Sequence, residues 1–202
     1  MTVRKMLHPV LAASREARDR ALHLVRRKAA HAAAATRPTP KSILVVCHGN
    51  ICRSPFAEAA IRRELRGVAV SVRSAGFIGP GRQPPPNALA AAAGRGIDMT
   101  EHRSRVLDPE IVRAADLVIT MDARQAQDIR ERFGKAPRQV VPLGDFDPTA
   151  SGARTIMDPV EHPVEVFDQV YARIEQCAKQ LAGAIIGSSA APLAPSGQAT
   201  GR

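Results

Sequence analysis

A cysteine and an arginine separated by five residues stand in the segment 47–55, which reads Cys-His-Gly-Asn-Ile-Cys-Arg-Ser-Pro. The segment follows an apolar run and opens a predicted helix, so its main-chain N–H groups form a cradle for an anion. The positive field of these amides and of Arg53 favours a thiolate at Cys47. The planar guanidinium of Arg53 suits two oxygens of a phosphoryl group. The pattern therefore predicts attack of Cys47 on phosphorus and a phosphocysteine intermediate.

The residues between and beside these two are predicted to hold the same anion. We expect phosphate to be bound by the loop residues His48, Gly49, Asn50, Ile51, Cys52, Arg53 and Ser54. Gly49 and Asn50 both tolerate the positive φ that a tight loop needs. Ser54 before Pro55 is typical of a helix N-cap, and the Ser54 hydroxyl also has the reach to donate to the Cys47 sulfur. The chain has no Gly-x4-Gly-Lys-Ser/Thr motif, so this is not a nucleoside-triphosphate loop of that type.

The elements that must position this loop alternate between strand and helix. Apolar or alternating runs predict four strands, at 43–47, 68–74, 117–121 and 139–142. Periodic or alanine-rich runs predict helices at 54–66, 87–93, 109–114, 123–133 and about 164–186. This order indicates an α/β fold, a single domain with a doubly wound, four-stranded parallel sheet and helices on both faces. Ligands bind such sheets at the carboxyl edge, where the loop begins.

Charge and composition divide the chain into three parts. Residues 1–41 carry ten Lys and Arg against two acids, whereas residues 42–202 carry nineteen against seventeen. We predict a basic helical extension and linker at 1–41, a catalytic domain at 42–186 and a disordered tail at 187–202. The balanced charge of the domain and its few aromatic residues argue against nucleic-acid binding.

The basic extension leaves several interpretations open. An amphipathic helix in residues 1–35 is compatible with weak contact to an anionic membrane, or with a frayed, solvated helix. Its composition is similar to that of an organellar transit peptide and also follows from Ala/Arg-rich coding. No run approaches the ~20 apolar residues of a bilayer span. The three cysteines fit a reducing compartment. We therefore expect a cytoplasmic protein. We also expect it to be a monomer.

Five stretches of the predicted domain form a recognisable set: 46–55, 74–76 (Ser-Ala-Gly), 96–105, 115–122 and 157–159 (Met-Asp-Pro). Together they resemble the low-molecular-weight protein tyrosine phosphatase family, and the likeness covers most of residues 42–186. The resemblance implies hydrolysis of phosphotyrosine in protein substrates through a phosphocysteine. The extension and the tail lie outside it.

The resemblance also implies a general acid in an Asp-Pro dipeptide late in the chain, which Asp158 and Pro159 match. Such a carboxyl protonates the leaving oxygen and then takes a proton from the attacking water, a gain of about 10²–10⁴-fold. Without the resemblance, the residues themselves leave Asp158, Asp145 and Asp147 as alternatives.

The resemblance also implies roles for His102 and Cys52. His102 is expected to form a hydrogen bond with Asn50. Together, His102, Asn50 and Ser54 are expected to hold Cys47 in position. Cys47 and Cys52 are expected to form a reversible, protective disulfide. A rival interpretation makes Cys47 and His102 a thiol-hydrolase dyad, but it leaves the anion cradle unexplained. No Cys and His partners occur at zinc spacing, so we expect no metal and no cofactor.

The substrate alternatives concern the walls of the cleft. Val160 and Glu161 follow the Asp-Pro dipeptide, and Phe77 is the one aromatic residue of the loop 77–86, which weakens ring stacking on phosphotyrosine. Arginine-phosphate phosphatases of this fold resemble each other in having Thr at the position of Ile51. The apolar side chain of Ile51 therefore favours an aryl phosphate. Arsenate reductases of the fold carry redox cysteines midway along the chain, and residues 53–176 contain none. A noncatalytic phosphate-binding module is the alternative from another class.

Overall fold

The computed structural model of the chain describes residues 21–149 and 154–190. Its helices and strands are, in chain order, α1 (21–34), β1 (Ser42–Cys47), α2 (Arg53–Glu64), β2 (Ser71–Gly76), α3 (Pro86–Ala93), α4 (Pro109–Ala114), β3 (Leu117–Thr120), α5 (Ala123–Phe133), β4 (Val140–Pro142) and α6 (Val164–Ala190). Two short 3₁₀ helices flank β4, at Pro137–Gln139 and Leu143–Phe146. No described helix is both long and apolar enough to cross a bilayer.

The four strands form one sheet in the order β2-β1-β3-β4, and every neighbouring pair is parallel. The central strands β1 and β3 are apolar on both faces because each face is covered by helices. One cluster of buried side chains lies against α2 and α6 and the other against α4 and α5. The predicted doubly wound α/β fold is therefore confirmed. It places Cys47, the last residue of a central strand, at the carboxyl edge of the sheet.

Two predicted boundaries differ from the structure by three residues or more. The second strand begins at Ser71 and continues to Gly76, where it pairs with Cys47, so the alternating run from 68 starts too early. The last helix runs through Ala190, four residues into the segment predicted as a disordered tail at 187–202. Helix propagation adds one hydrogen bond per residue, and the first proline that can stop it stands at position 192. Residues 191–202 lie outside the described residues.

The described part of the extension is a helix that packs against the domain. His23 is 1% exposed, and its Nε2 donates to the main-chain oxygen of Asp147 at 3.0 Å. Ala30 and Ala34 join the larger hydrophobic cluster, and Arg27 donates to Gln180 of α6 at 2.9 Å. The prediction of a frayed, solvated helix is therefore wrong for residues 21–34. The predicted membrane contact of residues 1–35 stays a prediction, since residues 1–20 lie outside the described part.

Replacing His23 tests this docking. In His23→Ala the buried oxygen of Asp147 loses its donor, so we expect the free energy of unfolding to fall by about 1–3 kcal/mol. The neighbouring Leu24 is 63% exposed, so Leu24→Ala should change it by less than about 0.5 kcal/mol. Urea unfolding of the full chain measures both variants. Equal stability of the two variants would contradict the docking of α1.

Candidate active site

The sulfur of Cys47 lies beneath the loop that joins β1 to α2. Cys47 is 2% exposed, the Asn50 N–H donates to its Sγ at 3.2 Å, and the Ser54 hydroxyl lies 3.0 Å from the same atom. Ser54 Oγ already accepts a hydrogen bond from Asn50 Nδ2 at 2.9 Å, which leaves its proton available to the sulfur. Two donors aimed at one sulfur stabilise its thiolate form.

Asn50 holds the loop in shape with all of its polar groups. Its backbone adopts φ +51°, a left-handed conformation that asparagine tolerates better than most residues. Its Nδ2 donates to both Ser54 and Ser74 at 2.9 Å, and its Oδ1 accepts from the Arg105 N–H at 2.9 Å. The main-chain oxygen accepts from His102 Nε2 at 2.8 Å. His102 therefore contacts the loop and not the sulfur, so the rival Cys47–His102 dyad is not formed.

The predicted N-cap at Ser54 is wrong. The helix begins at Arg53, its N-cap residue is Cys52, and no side chain caps it. The Ser54 hydroxyl is taken by Asn50 and the buried sulfur. An unpaired buried amide or thiolate costs more free energy than the loss of one exposed cap contact. The Ser54 hydroxyl therefore bonds the buried groups and does not cap the helix.

Neither of the two glycines near the loop has a positive φ, and one of them, Gly76, is required by close main-chain contacts. The prediction of a left-handed backbone is wrong for Gly49, where a Cβ would instead meet the Arg82 guanidinium at 2.7 Å. At Gly76 an added Cβ would lie 2.8 Å from the Asn50 nitrogen and 2.9 Å from the His48 oxygen. Both of these atoms are main chain and belong to the loop, so the end of β2 can pass beneath the loop only as glycine.

Arg53 and Asp158 meet at the mouth of the same pocket. Arg53 is 4% exposed and donates through one terminal nitrogen to the Ile156 oxygen at 3.1 Å. Its other terminal nitrogen forms an ion pair with the Asp158 carboxylate, whose side chain is 40% exposed. The Nε of Arg53 is buried and has no hydrogen-bond partner among the described residues. One strong donor is therefore left for an anion.

The two other candidate acids are structural carboxylates. Asp145 is buried and receives both arms of the Arg154 guanidinium, at 2.8 and 2.7 Å. Asp147 is buried and accepts from Arg173 Nε at 2.7 Å. Burial opposes ionisation of Asp147, but hydrogen bonds from Thr149 and Arg173 outweigh it and hold its pKa below the usual value. Of the three, Asp158 alone lines the pocket at Cys47.

The pocket above the loop is small, about 100 Å³. Its walls are formed by Cys47, His48, Gly49, Ile51, Cys52, Arg53, Ile78, Arg82, Asp158 and Val160. The sequence patterns did not predict two of these lining residues, Ile78 and Arg82, which lie in the loop after β2. Arg82 donates to the Gly49 oxygen at 2.9 Å and to the Gly79 oxygen at 3.1 Å. The one sequence signal for Arg82 is its position after a predicted strand that ends at the same edge of the sheet.

The aromatic wall considered at Phe77 is not part of this pocket. Phe77 packs against the second hydrophobic cluster, and the Arg132 guanidinium lies 5.7 Å from its ring centre. No Phe, Tyr or Trp is among the described residues that line the pocket. Apolar contact with a substrate therefore falls to Ile51, Ile78 and Val160.

Cys52 lines the pocket beside Cys47 but differs in its chemistry. It is buried, and its main-chain oxygen accepts from the Tyr171 hydroxyl at 3.3 Å. Burial, followed by the nearby charges of Cys47 and Asp158, raises the pKa of the Cys52 thiol to about 12. All three cysteines are free, and the reversible disulfide between Cys47 and Cys52 stays a prediction.

Across the described ranges, no group of three or more His, Cys, Asp or Glu residues is arranged to hold a metal ion.

Comparison with known proteins gives one matching family and several similar phosphatases. A model of the low molecular weight phosphotyrosine protein phosphatase family matches residues 42–190. The probable low molecular weight protein-tyrosine-phosphatase EpsP of Ralstonia nicotianae is 37% identical over 136 residues, which are 67% of this chain and 90% of that protein. A protein-arginine-phosphatase of Bacillus subtilis is 34% identical over 143 residues, 69% of this chain and 93% of that protein.

The solved structures agree. The crystal structure of the tyrosine phosphatase Wzb from Escherichia coli, in complex with sulphate, is 30% identical and has a TM-score of 0.64, covering 71% of this chain and 97% of that one. The family match, these identities and the shared fold confirm the resemblance seen in the sequence motifs. The chain belongs to the low molecular weight phosphotyrosine protein phosphatase family.

Proposed function

We propose that this phosphatase hydrolyses phosphotyrosine in proteins, with Cys47 as nucleophile, Arg53 as phosphate clamp and Asp158 as general acid and base. One observation carries the proposal. The Cys47 sulfur receives the Asn50 N–H and faces the Ser54 hydroxyl at the foot of a pocket that a buried arginine also lines. A sulfur anion beside such donors is suited to attack a phosphorus whose oxygens the same loop binds.

Substrate binding begins with Arg53. Its Nε is buried without a partner among the described residues, while Ile156 anchors one terminal nitrogen. A phosphate dianion competes with Asp158 for the other terminal nitrogen, so its arrival releases the carboxylate toward the leaving oxygen. The loop residues from His48 to Ser54 supply the remaining N–H donors.

The chemical step divides into two transfers. Cys47 Sγ forms a bond to phosphorus as the bond to the tyrosyl oxygen breaks. Asp158, which has left Arg53 and taken up a proton from solvent, gives this proton to that oxygen. Asp158, now ionised, then takes a proton from a water molecule that attacks the phosphocysteine. This attack releases inorganic phosphate and returns the thiolate. The Ser54 hydroxyl stabilises the sulfur as it leaves.

The pocket walls favour an aryl phosphate over phosphoarginine. Arg53 and Arg82 give the pocket two cationic side chains against one described carboxylate, that of Asp158, which the proposed step uses as the acid. The guanidinium of a phosphoarginine substrate would therefore meet the positive charge of Arg82 in a pocket with a net positive wall. A neutral phenyl ring contacts Ile51, Ile78 and Val160 at no such cost. Protein-arginine phosphatase activity is the second candidate, on the likeness to the Bacillus subtilis enzyme.

The proposed chemistry needs a free thiol at Cys47, and the three cysteines are free. We therefore place the activity in the cytoplasm, where thiols are kept reduced.

Removing the nucleophile or the acid tests these roles. Cys47→Ser should abolish turnover of p-nitrophenyl phosphate while inorganic phosphate still binds. Asp158→Ala should lower kcat for phosphotyrosine peptides by about 10²–10⁴-fold. Asp145→Asn, which alters a carboxylate outside the pocket, is the matched control and should keep kcat. Steady-state and burst kinetics in excess chelator measure all three. Full activity in either of the first two variants contradicts its assigned role.

A peptide panel tests the substrate class. Phosphotyrosine peptides should be hydrolysed with a higher kcat/KM than phosphoserine or phosphoarginine peptides of the same sequence. Arg82→Ala removes the repulsive guanidinium, so the ratio of phosphoarginine to phosphotyrosine turnover should rise by about tenfold. A wild-type preference for phosphoarginine would replace the first candidate by the second.

Thiol labelling tests the contrast between the cysteines. Burial raises the pKa of Cys52 and of Cys177 to about 12, so both stay protonated and unreactive from pH 6 to pH 9, well below those values. Iodoacetamide should therefore label Cys47 alone, and inorganic phosphate should protect it. Peptide mass spectrometry measures the labelling, with urea-unfolded protein as the control in which all three react. Labelling of Cys52 at the rate of Cys47 would contradict this contrast.

A further inference from the structure

A second, larger cavity of about 530 Å³ lies between α1 and the domain. It shares no lining residue with the pocket at Cys47. One wall is the alanine-rich face of α1, residues 29–33, which lies outside the 42–190 span of the family model. The opposite wall is β4 together with the ends of its neighbours. The cavity is therefore a feature of this chain's extension and falls within the size range of small-molecule sites.

Four arginines and one aspartate line this otherwise apolar cavity: Arg26, Arg130, Arg138, Arg154 and Asp145. Asp145 is already engaged by both arms of Arg154. The side chains of Arg26 and Arg138 form no hydrogen bond or ion pair with any residue in the described ranges, and both residues line the cavity. The cavity thus holds an excess of positive charge without an anionic partner.

Two of these charges, on Arg130 and Arg154, repel each other. The Nε of Arg130 is buried and lacks a partner among the described residues, while a terminal nitrogen donates to the Val140 oxygen at 2.7 Å. Burial first, and then the charge of Arg154, lower the pKa of Arg130 despite the opposing effect of Asp145. Like charges in a partly desolvated wall repel, and an anion between them removes that repulsion.

We propose that this cavity binds a small organic anion with an apolar body, such as an aromatic or aliphatic carboxylate, sulfonate or phosphate ester. Alanine, valine and proline side chains contact the body, and Arg26, Arg130 and Arg138 bind the anionic group. The chain's own terminal segments are poor occupants by charge. Residues 1–20 carry five Lys and Arg against two acids, and residues 191–202 carry one arginine and no acidic side chain.

Titration of the full chain with anilinonaphthalene sulfonate tests the site, because this probe joins apolar rings to one anion and fluoresces when desolvated. We expect saturable binding of one probe per chain, unchanged by saturating inorganic phosphate at the Cys47 pocket. Arg26→Ala and Arg138→Ala should each raise the dissociation constant by about tenfold. Neutral N-phenylnaphthylamine should bind the wild-type chain about tenfold more weakly than the sulfonate.

Three controls keep the result decisive. Arg124→Ala removes an exposed arginine of α5 outside the cavity and should leave the dissociation constant unchanged. Ala33→Phe fills the apolar wall without changing charge and should weaken binding. Turnover of p-nitrophenyl phosphate should stay at the wild-type value in each variant, which shows an intact fold. Non-saturable binding, competition by phosphate, or equal affinity of the Arg26, Arg138 and Arg124 variants would overturn the proposal.

Discussion

The main chain turns at Asn50 so that its N–H meets the Cys47 sulfur, and the rest of the site depends on that turn. A left-handed residue is held there because its side chain bonds Ser54, Ser74 and Arg105 and its carbonyl bonds His102. These partners come from α2, β2 and the loop before α4. A loop amide that pointed away from the sulfur would remove a donor from the thiolate, and with it the reason for nucleophilic chemistry at this edge of the sheet.

The second constraint is the position of Asp158, which depends on contacts far from the sulfur. Arg173 of α6 donates to the Thr155 oxygen at 2.7 Å and to Asp147, and Arg53 donates to the Ile156 oxygen. The oxygen of Asp147 is in turn the acceptor for His23 in α1. A chain of hydrogen bonds, some buried and some nearer the surface, therefore links α1 to the segment that carries Asp158.

Local sequence signals predicted most of the fold, and the misses have physical causes. Apolar runs located all four strands, and helical periodicity with its proline and glycine boundaries located the helices of the domain. Ser54 was assigned to a cap because its local context is that of a cap, but a buried sulfur and an amide compete for its hydroxyl. The last helix passed Gly187 because a glycine within a long packed helix weakens it without ending it.

The order and type of residues alone determined the chemistry at the loop. Only five residues separate Cys47 from Arg53. A strand, a tight loop and a helix are enough to bring them together, and short-range sequence patterns encode all three. Tertiary structure decided what depends on contacts between distant parts of the chain. It placed Asp158 at the pocket and buried Asp145 and Asp147 in ion pairs away from it, and it brought Arg82 into the pocket and α1 onto the domain. Such contacts depend on how the elements pack, and no local spacing or periodicity records that packing.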